Sequence, residues 1–311
     1  MTSLLASLSQ IYLVASWRAG LVIALALALV SPALAAGALG GAALGIGCFL
    51  VFSRVRRRWG GAAPSVTLID AQLSPQARAG LLGYNGALIG ALVMSRCGWS
   101  VAALGWSLLG VLGGVSVHAL LERSLGRFPG NLGSGNAALP VLTAPFCLVG
   151  TALVVLLPPQ AGTPVPCVAP GCAFLGIPAA FAQVSLGSGW LAGLSILAAL
   201  ASAAPRAAAW GVGAAVLTLP VLFLIPVADF AGGAWSYCAA LVGIALGATF
   251  AGEPDEGAGG WRHRVIPVIA AVAFALLIQA AFLWAGWPVL TWPFVLSTWV
   301  ALAVEGLRYG R

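Results

Sequence analysis

The chain has 311 residues, of which 61% are hydrophobic and only 7% are charged, and its mean hydropathy is +1.05. Soluble domains carry about 25% charged residues, so this composition excludes a water-soluble globular protein. The net charge is +7 and every basic residue is an arginine. Because these charges separate apolar runs, they indicate membrane topology rather than nucleic-acid binding.

The first half of the chain begins with a short apolar segment, at about 4–15, which is too short to span a bilayer. Five longer apolar segments follow, and their uniform hydrophobicity is typical of membrane helices rather than of alternating barrel strands. They lie at about 18–36, 38–53, 79–95, 100–121 and 138–158.

The second half repeats this order after a loop at about 159–173. Its short segment lies at about 174–186, and its long segments at about 189–204, 207–228, 233–251, 265–286 and 288–305. The sequence therefore predicts an all-α membrane protein with two repeats, 1–158 and 174–311. Each repeat would contain five transmembrane helices and one re-entrant helix, since a short helix cannot cross the bilayer.

Three ordered sequence pairs support the repeat. Pro140–Phe146 recurs as Pro288–Phe294 with six of seven positions identical, 148 residues apart. Gly83–Gly90 resembles Ser236–Gly243 more weakly. The third pair is Gln10 and Gln183, each followed by a Gly ten residues later and a Pro twenty-two residues later, namely Gly20, Pro32, Gly193 and Pro205.

Five spans per repeat require the second repeat to be inverted relative to the first. If the first full span begins in the cytoplasm, every arginine except Arg96 falls on the cytoplasmic side, as the positive-inside rule requires. The 159–173 loop is then external, and both termini are cytoplasmic. Cys167 and Cys172 in that loop could form a small disulfide if it faces an oxidising space.

Apart from His118, no ionisable residue is expected deep within a span. Proton-coupled carriers usually need buried carboxylates or histidine relays, and ion channels need charged rings or carbonyl filters. No constellation of residues predicts an enzyme, a metal site or a cofactor. We interpret His118 as a hydrogen-bonding residue within the bundle. These absences favour a passive path for a neutral polar solute.

The repeated polar residues are candidates for lining that path. Gln10 and Gln183 would lie on the two short helices, where inverted-repeat proteins place midplane sites. Thr143 and Thr291 lie in the duplicated motif, and the prolines that follow, Pro145 and Pro293, would free the carbonyls of Val141 and Val289. Tyr84 with Leu88, and Tyr237 with Leu241, would supply apolar walls at i, i+4 spacing.

These runs resemble the signatures of bacterial urea transporters, above all Leu139–Phe146 and Leu290–Phe294. The resemblance covers nearly the whole chain. It implies a homotrimer in the cytoplasmic (inner) membrane whose subunits each conduct urea by facilitated diffusion, without a coupling ion or cofactor. It further implies urea sites at Gln10 and Gln183, a central constriction at Thr143 and Thr291, and a slot lined by Tyr84, Leu88, Tyr237 and Leu241.

The chain departs from the family pattern near each glutamine. Ser16-Trp17 and Gly189-Trp190 stand where the family usually has Asn-Pro, and Leu13 and Leu186 stand where an aromatic residue is often found. Cys238 replaces the residue matching Asn85. Alternatives left open are a coupled secondary transporter, a channel for another small neutral amide, and an ammonium or water channel.

Overall fold

The computed structural model describes residues 1–58, 80–125, 129–131, 136–157, 169–251 and 260–309. The first half contains one two-stranded antiparallel hairpin, in which Pro129 pairs with Ala138, among its helices. Its elements are α1 (Thr2–Gln10), α2 (Trp17–Val30), α3 (Pro32–Arg58), α4 (Tyr84–Cys97), α5 (Val101–Leu125), β1 (Pro129–Asn131), β2 (Asn136–Ala138) and α6 (Ala144–Leu156).

The second half opens with a 3₁₀ helix, Pro170–Leu175, and its last helices are the longest. Its further elements are α7 (Gly176–Val184), α8 (Trp190–Ala203), α9 (Pro205–Val216), a 3₁₀ helix (Leu219–Phe223), α10 (Val227–Ala231), α11 (Tyr237–Ile244), α12 (Gly260–Trp284) and α13 (Trp292–Tyr309). Helix α11 continues as a π-helical turn, Ala245–Thr249.

The expected apolar helical architecture is confirmed, but several expected spans are shorter. Within the described part of the chain, four helical stretches are long and apolar enough to cross a membrane: Pro32–Phe52, Val101–Leu125, Pro205–Phe223 and Arg264–Trp284. The span expected at 207–228 is not one continuous α-helix: the α-helix ends at Val216, a 3₁₀ helix that contains Pro220 runs from Leu219 to Phe223, and Pro226 precedes α10. Proline lacks the N–H that a continuous helix needs.

The spans expected from 138 and 288 begin as helices only at Ala144 and Trp292. Leu142 and Leu290 just before them have positive φ, which no right-handed helix accommodates. Pro145 and Pro293 therefore lie in a first helical turn, where proline is well tolerated, and do not kink a continuous span.

The two short segments are helices α1 and α7, each nine residues long. At 1.5 Å per residue each covers about 14 Å, roughly half of the hydrocarbon core. Each packs closely on the next helix through a glycine of the sequence repeat. A Cβ at Gly20 would lie 1.8 Å from the Leu5 carbonyl oxygen, and one at Gly193 would lie 1.7 Å from the Pro178 carbonyl oxygen.

Helices α3 and α4 also approach backbone to backbone. A Cβ on Gly41 would lie 2.1 Å from the Gly86 oxygen, and a Cβ on Gly90 would lie 2.1 Å from the Gly37 oxygen. Small residues permit this close packing where no hydrophobic effect drives helices together. Large apolar side chains face outward instead, as on α5, where Leu104 is 68% exposed, and on α12, where Leu277 is 67% exposed.

The 159–173 loop is described only from residue 169 onward. Cys172 is disulfide-bonded, and its expected partner Cys167 lies outside the described residues. The side chains of most of the arginines that carry the topology prediction also lie outside the described part: Arg54, Arg56, Arg57, Arg58, Arg78, Arg127, Arg262, Arg308 and Arg311.

Gly20→Ala and Gly193→Ala should each destabilise the protein, because the added methyl group would collide with a backbone carbonyl. Overpacking of this kind costs about 1–3 kcal/mol or more. The apparent melting temperature in detergent should fall for both variants. Gly105→Ala in α5 is the matched control, because a Cβ there meets nothing within 4 Å. Melting temperatures equal to that of the control would contradict the close approach.

Candidate functional site

The site is built around four leucines with a left-handed backbone. Among the described residues, the non-glycine positions with positive φ are Leu13 (58°), Leu142 (51°), Leu186 (63°) and Leu290 (42°). Such a conformation costs roughly 1–2 kcal/mol per residue and tends to occur at functional sites. Leu13 and Leu186 each follow a repeated glutamine by three residues, and Leu142 and Leu290 each precede a repeated threonine. The strain therefore falls at matching places in both halves.

The carbonyl of Leu142 is held by two side chains of α4. The Tyr84 hydroxyl donates to this oxygen, and the Asn85 Nδ2 donates to it at 3.3 Å. The Asn85 Oδ1 in turn accepts from the Phe146 backbone N–H at 3.3 Å. Asn85 thus joins the two sides of the turn that begins α6.

The second half repeats this contact with a weaker partner. The Tyr237 hydroxyl donates to the Leu290 carbonyl, and the Cys238 thiol lies 3.6 Å from the same oxygen. A thiol is a poorer donor and acceptor than an amide. The turn before α13 is therefore held less firmly than the turn before α6.

The next residues in the two turns bond directly to each other. The Thr143 and Thr291 hydroxyl oxygens are 2.7 Å apart, and both side chains are 3% exposed. The Cys147 sulfur lies 3.0 Å from the Thr291 hydroxyl oxygen. Thr143 is the N-cap residue of α6 but makes no side-chain cap bond, so its hydroxyl is available to reach across to the other half.

The expectation that Val141 and Val289 present unpaired carbonyls is wrong. Val141 accepts from the Ala144 N–H at 3.3 Å, and Val289 accepts from the Trp292 N–H at 3.1 Å. These are turn bonds, formed because the helices begin just beyond them. The carbonyls that need a donor from another segment are instead those of Leu142 and Leu290, and the tyrosines supply it.

The predicted wall residues are all buried. Tyr84 and Tyr237 are 6% and 8% exposed, while Leu88 and Leu241 lie one turn further along and are 1% and 0% exposed. The tyrosines have a role that their i, i+4 pattern did not predict. The Tyr84 hydroxyl bonds to the turn before α6, and the Tyr237 hydroxyl bonds to the turn before α13.

The two repeated glutamines lie in the last turns of the short helices, Gln10 as the last residue of α1 and Gln183 as the last but one of α7. Gln10 is 9% exposed, and its Oε1 is buried without a hydrogen-bond partner among the described residues, whereas Gln183 is half-buried. The Leu13 and Leu186 N–H groups donate to the Gln10 and Gln183 backbone carbonyls, both at 2.9 Å. An unpaired buried acceptor is costly unless something else bonds to it, so the amide oxygen of Gln10 is a candidate ligand contact.

A second contact joins the two halves near these glutamines. The Tyr12 hydroxyl donates to the Phe181 carbonyl and lies 2.9 Å from the Ser185 hydroxyl oxygen. Tyr12 follows Gln10 by two residues, and Ser185 follows Gln183 by two. Sequence analysis missed both residues, although the spacing from the repeated glutamines could have indicated them.

His118 is not within the central group. Its ring packs edge-to-face on Phe49 at 5.3 Å, and the two residues line a small cavity that Asn85 also borders. The expected hydrogen bond of His118 does not occur among the described residues, where this aromatic contact is the one its ring makes. No group of three or more potential metal ligands occurs among the described residues.

The architecture and the site define a multi-pass membrane transport protein with a buried, uncharged polar centre. The sequence model of the family described as "UT: Urea transporter" matches residues 1–59 and 67–306. The chain therefore belongs to the urea transporter family, which consists of transport proteins and not of enzymes, and its function is that of a urea channel or transporter. A comparison with curated proteins finds no match.

Tyr84→Phe should weaken the turn before α6, because a buried carbonyl would lose its strongest donor. An unsatisfied buried group costs about 1–3 kcal/mol. Tyr237→Phe should cost more, since the thiol of Cys238 compensates less well than the amide of Asn85. The measurement is the apparent melting temperature of both variants, each compared with the natural chain. A larger loss for Tyr84→Phe than for Tyr237→Phe would contradict the ranking.

Proposed function

We propose that urea passes through each subunit by facilitated diffusion, along a path between two inverted repeats that narrows at Thr143 and Thr291. The observation that carries this proposal is the 2.7 Å bond between hydroxyls of sequence-equivalent residues. Equivalent residues of two repeats related by a two-fold axis contact each other where that axis passes between them, so this bond fits such a relation. Tyr12 and Ser185, which are also equivalent, make a second such contact at 2.9 Å.

The proposed repeats are 1–158 and 174–311, joined by an external loop at 159–173. A two-fold axis in the membrane plane would relate them, because five spans per repeat reverse the orientation of the second. With this topology every arginine except Arg96 faces the cytoplasm, as do both termini. We place the protein in the cytoplasmic membrane and propose a homotrimer, with one path in each subunit.

The chemistry of the path suits a planar, neutral molecule with several N–H groups. Gln10 would offer its unpaired Oε1, and the threonine pair would offer hydroxyl oxygens to the N–H groups and a hydroxyl proton to the carbonyl. The surrounding side chains are apolar, including fully buried Phe146 and Phe294. A hydrated ion would lose its water without gaining charged partners there, so it is rejected by the cost of desolvation.

At rest the two threonine hydroxyls are hydrogen-bonded to each other. A passing urea molecule has to break the bond between the two hydroxyls and form its own hydrogen bonds to them. Hydrogen bonds are then exchanged and not lost. The exchange needs a solute with both donors and acceptors, so apolar solutes of similar size should pass more slowly. Leu13, Leu186, Leu88 and Leu241 would shape the apolar surfaces on either side of the constriction.

Purified protein in liposomes should accelerate urea equilibration in a stopped-flow experiment, with the same rate whether or not a sodium or proton gradient is imposed. Thr143→Val and Thr291→Val should each slow urea about three- to tenfold, since each removes a hydrogen bond worth roughly 0.5–1.5 kcal/mol. Thr249→Val is the control, because Thr249 is exposed and distant in sequence from either turn.

Urea flux no greater than that of empty liposomes would contradict the proposal that the protein conducts urea. A rate that rises with an imposed gradient would instead favour coupled transport. If both threonine variants match Thr249→Val, the hydroxyl pair is not the constriction.

A further inference from the structure

One buried hydroxyl of α13 has no hydrogen-bond partner in the part of the chain that the structure describes. Thr298 is 0% exposed, and its Oγ1 makes no hydrogen bond there. Among the described residues, the other buried side-chain oxygen without a partner is Gln10 Oε1, already a candidate ligand contact. Burying a polar atom without a partner is costly, so the Thr298 hydroxyl needs a reason other than stability.

The hydroxyl of Thr298 is not bonded to its own helix. Ser297, the preceding residue, donates to the Pro293 carbonyl at 2.6 Å. Ser195 of α8 donates to the Leu191 carbonyl at 3.0 Å, again four residues earlier. This local bond is a common way for a hydroxyl within a helix to find a partner. Thr298 makes no such bond, so its hydroxyl is available to another molecule.

Thr298 lies on the same face of α13 as Thr291. The two residues are seven apart, close to two helical turns, and Val295 lies between them on this face. All three are at most 3% exposed, whereas Val300 on the other side of the helix is 48% exposed. At 1.5 Å per residue, Thr298 lies about 10 Å beyond Thr291 along the helix axis. The unpaired hydroxyl therefore continues the buried face that begins at the proposed constriction.

This face of the helix belongs to the contact between the two halves. Gly150 is the residue of α6 that matches Thr298, 148 residues earlier. A Cβ on Gly150 would lie 3.0 Å from Leu290 Cδ1, in the turn that carries Thr291. With the proposed repeat relation, Thr298 lies beside the turn that carries Thr143. Because glycine has no side chain, the Thr298 hydroxyl has no counterpart in the first half.

We propose that Thr298 is a further urea contact, the next one after the pair of Thr143 and Thr291 on the cytoplasmic side of the path. Its hydroxyl can accept a hydrogen bond from a urea N–H or donate one to the urea carbonyl. Helix α13 runs towards the cytoplasm in the proposed topology, so a urea molecule moving inward meets Thr298 after the constriction. Like the pair, Thr298 is closed off at rest, and urea reaches it as the two halves part. The inference rests on the proposed passage of urea between them.

The test removes the hydroxyl and keeps the shape of the side chain. Thr298→Val should slow urea about three- to tenfold in stopped-flow measurements on proteoliposomes, the range expected for one hydrogen bond. The apparent melting temperature in detergent should equal or exceed that of the natural chain, because the change removes a buried polar atom that has no partner. Slower transport by a protein that is no less stable does not come from a damaged fold.

Two further variants separate the hydroxyl from the space that it fills. Thr298→Ser keeps a hydroxyl at this position and should conduct urea within about twofold of the natural rate. Ser297→Ala is the matched control, because it removes the neighbouring hydroxyl, which is bonded to its own helix. Its rate should also stay within about twofold of the natural rate.

A natural rate in Thr298→Val would overturn the inference, and the proposed path would still stand if Thr143→Val slows urea. Equal losses in Thr298→Val and Thr298→Ser would assign Thr298 to packing and would overturn the inference as well. If the natural protein conducts no urea, or if neither variant of the threonine pair slows it, the proposed path itself is wrong. That result is distinct from failure at Thr298 alone.

Discussion

A buried backbone carbonyl that lies outside a helix must find a donor within the protein, because an unpaired buried acceptor is costly. Leu142 and Leu290 create this demand at the two turns before α6 and α13, and the hydroxyls of Tyr84 and Tyr237 meet it. The strained conformation of each leucine is tolerable because its carbonyl is held in this way. Since the threonine is the next residue, the same contact fixes where each hydroxyl points.

The turns before α6 and α13 meet at Thr143 and Thr291 and form a buried polar site without charged residues. The hydroxyls of Thr143 and Thr291 share a hydrogen bond, and so do those of Tyr12 and Ser185 near the ends of the short helices. A group satisfied in this way costs little to bury and can still exchange partners with a solute. Transport of a neutral amide fits such a centre better than ion movement, which would require compensating charge.

The sequence predicted the apolar helices and the two short segments from their hydrophobicity and length. It predicted the threonine pair because the motif that contains Thr143 occurs again around Thr291. Sequence analysis placed Pro145 and Pro293 inside longer helices that they would interrupt. The helices begin later because Leu142 and Leu290 have positive φ, and nothing in the sequence indicates that conformation for a leucine. The hydrogen-bond partner of the Tyr84 hydroxyl lies 58 residues away in sequence, which local spacing cannot indicate. The i, i+4 spacing of Tyr84 and Leu88 therefore predicted only an apolar wall. Tyr12 and Ser185 differ in residue type, and matching by identity could not pair them. The break near Pro220 was missed because hydropathy stays high across it.

The most direct test is to lock the two threonine positions together. Because the two hydroxyl oxygens are 2.7 Å apart, cysteine sulfurs on the same Cβ atoms would lie close together, as a disulfide requires. In a Cys147→Val background, Thr143→Cys with Thr291→Cys should form a disulfide under mild oxidation and lose urea flux, and reduction should restore it. A disulfide that forms without changing urea flux would contradict the claim that the path narrows at this pair.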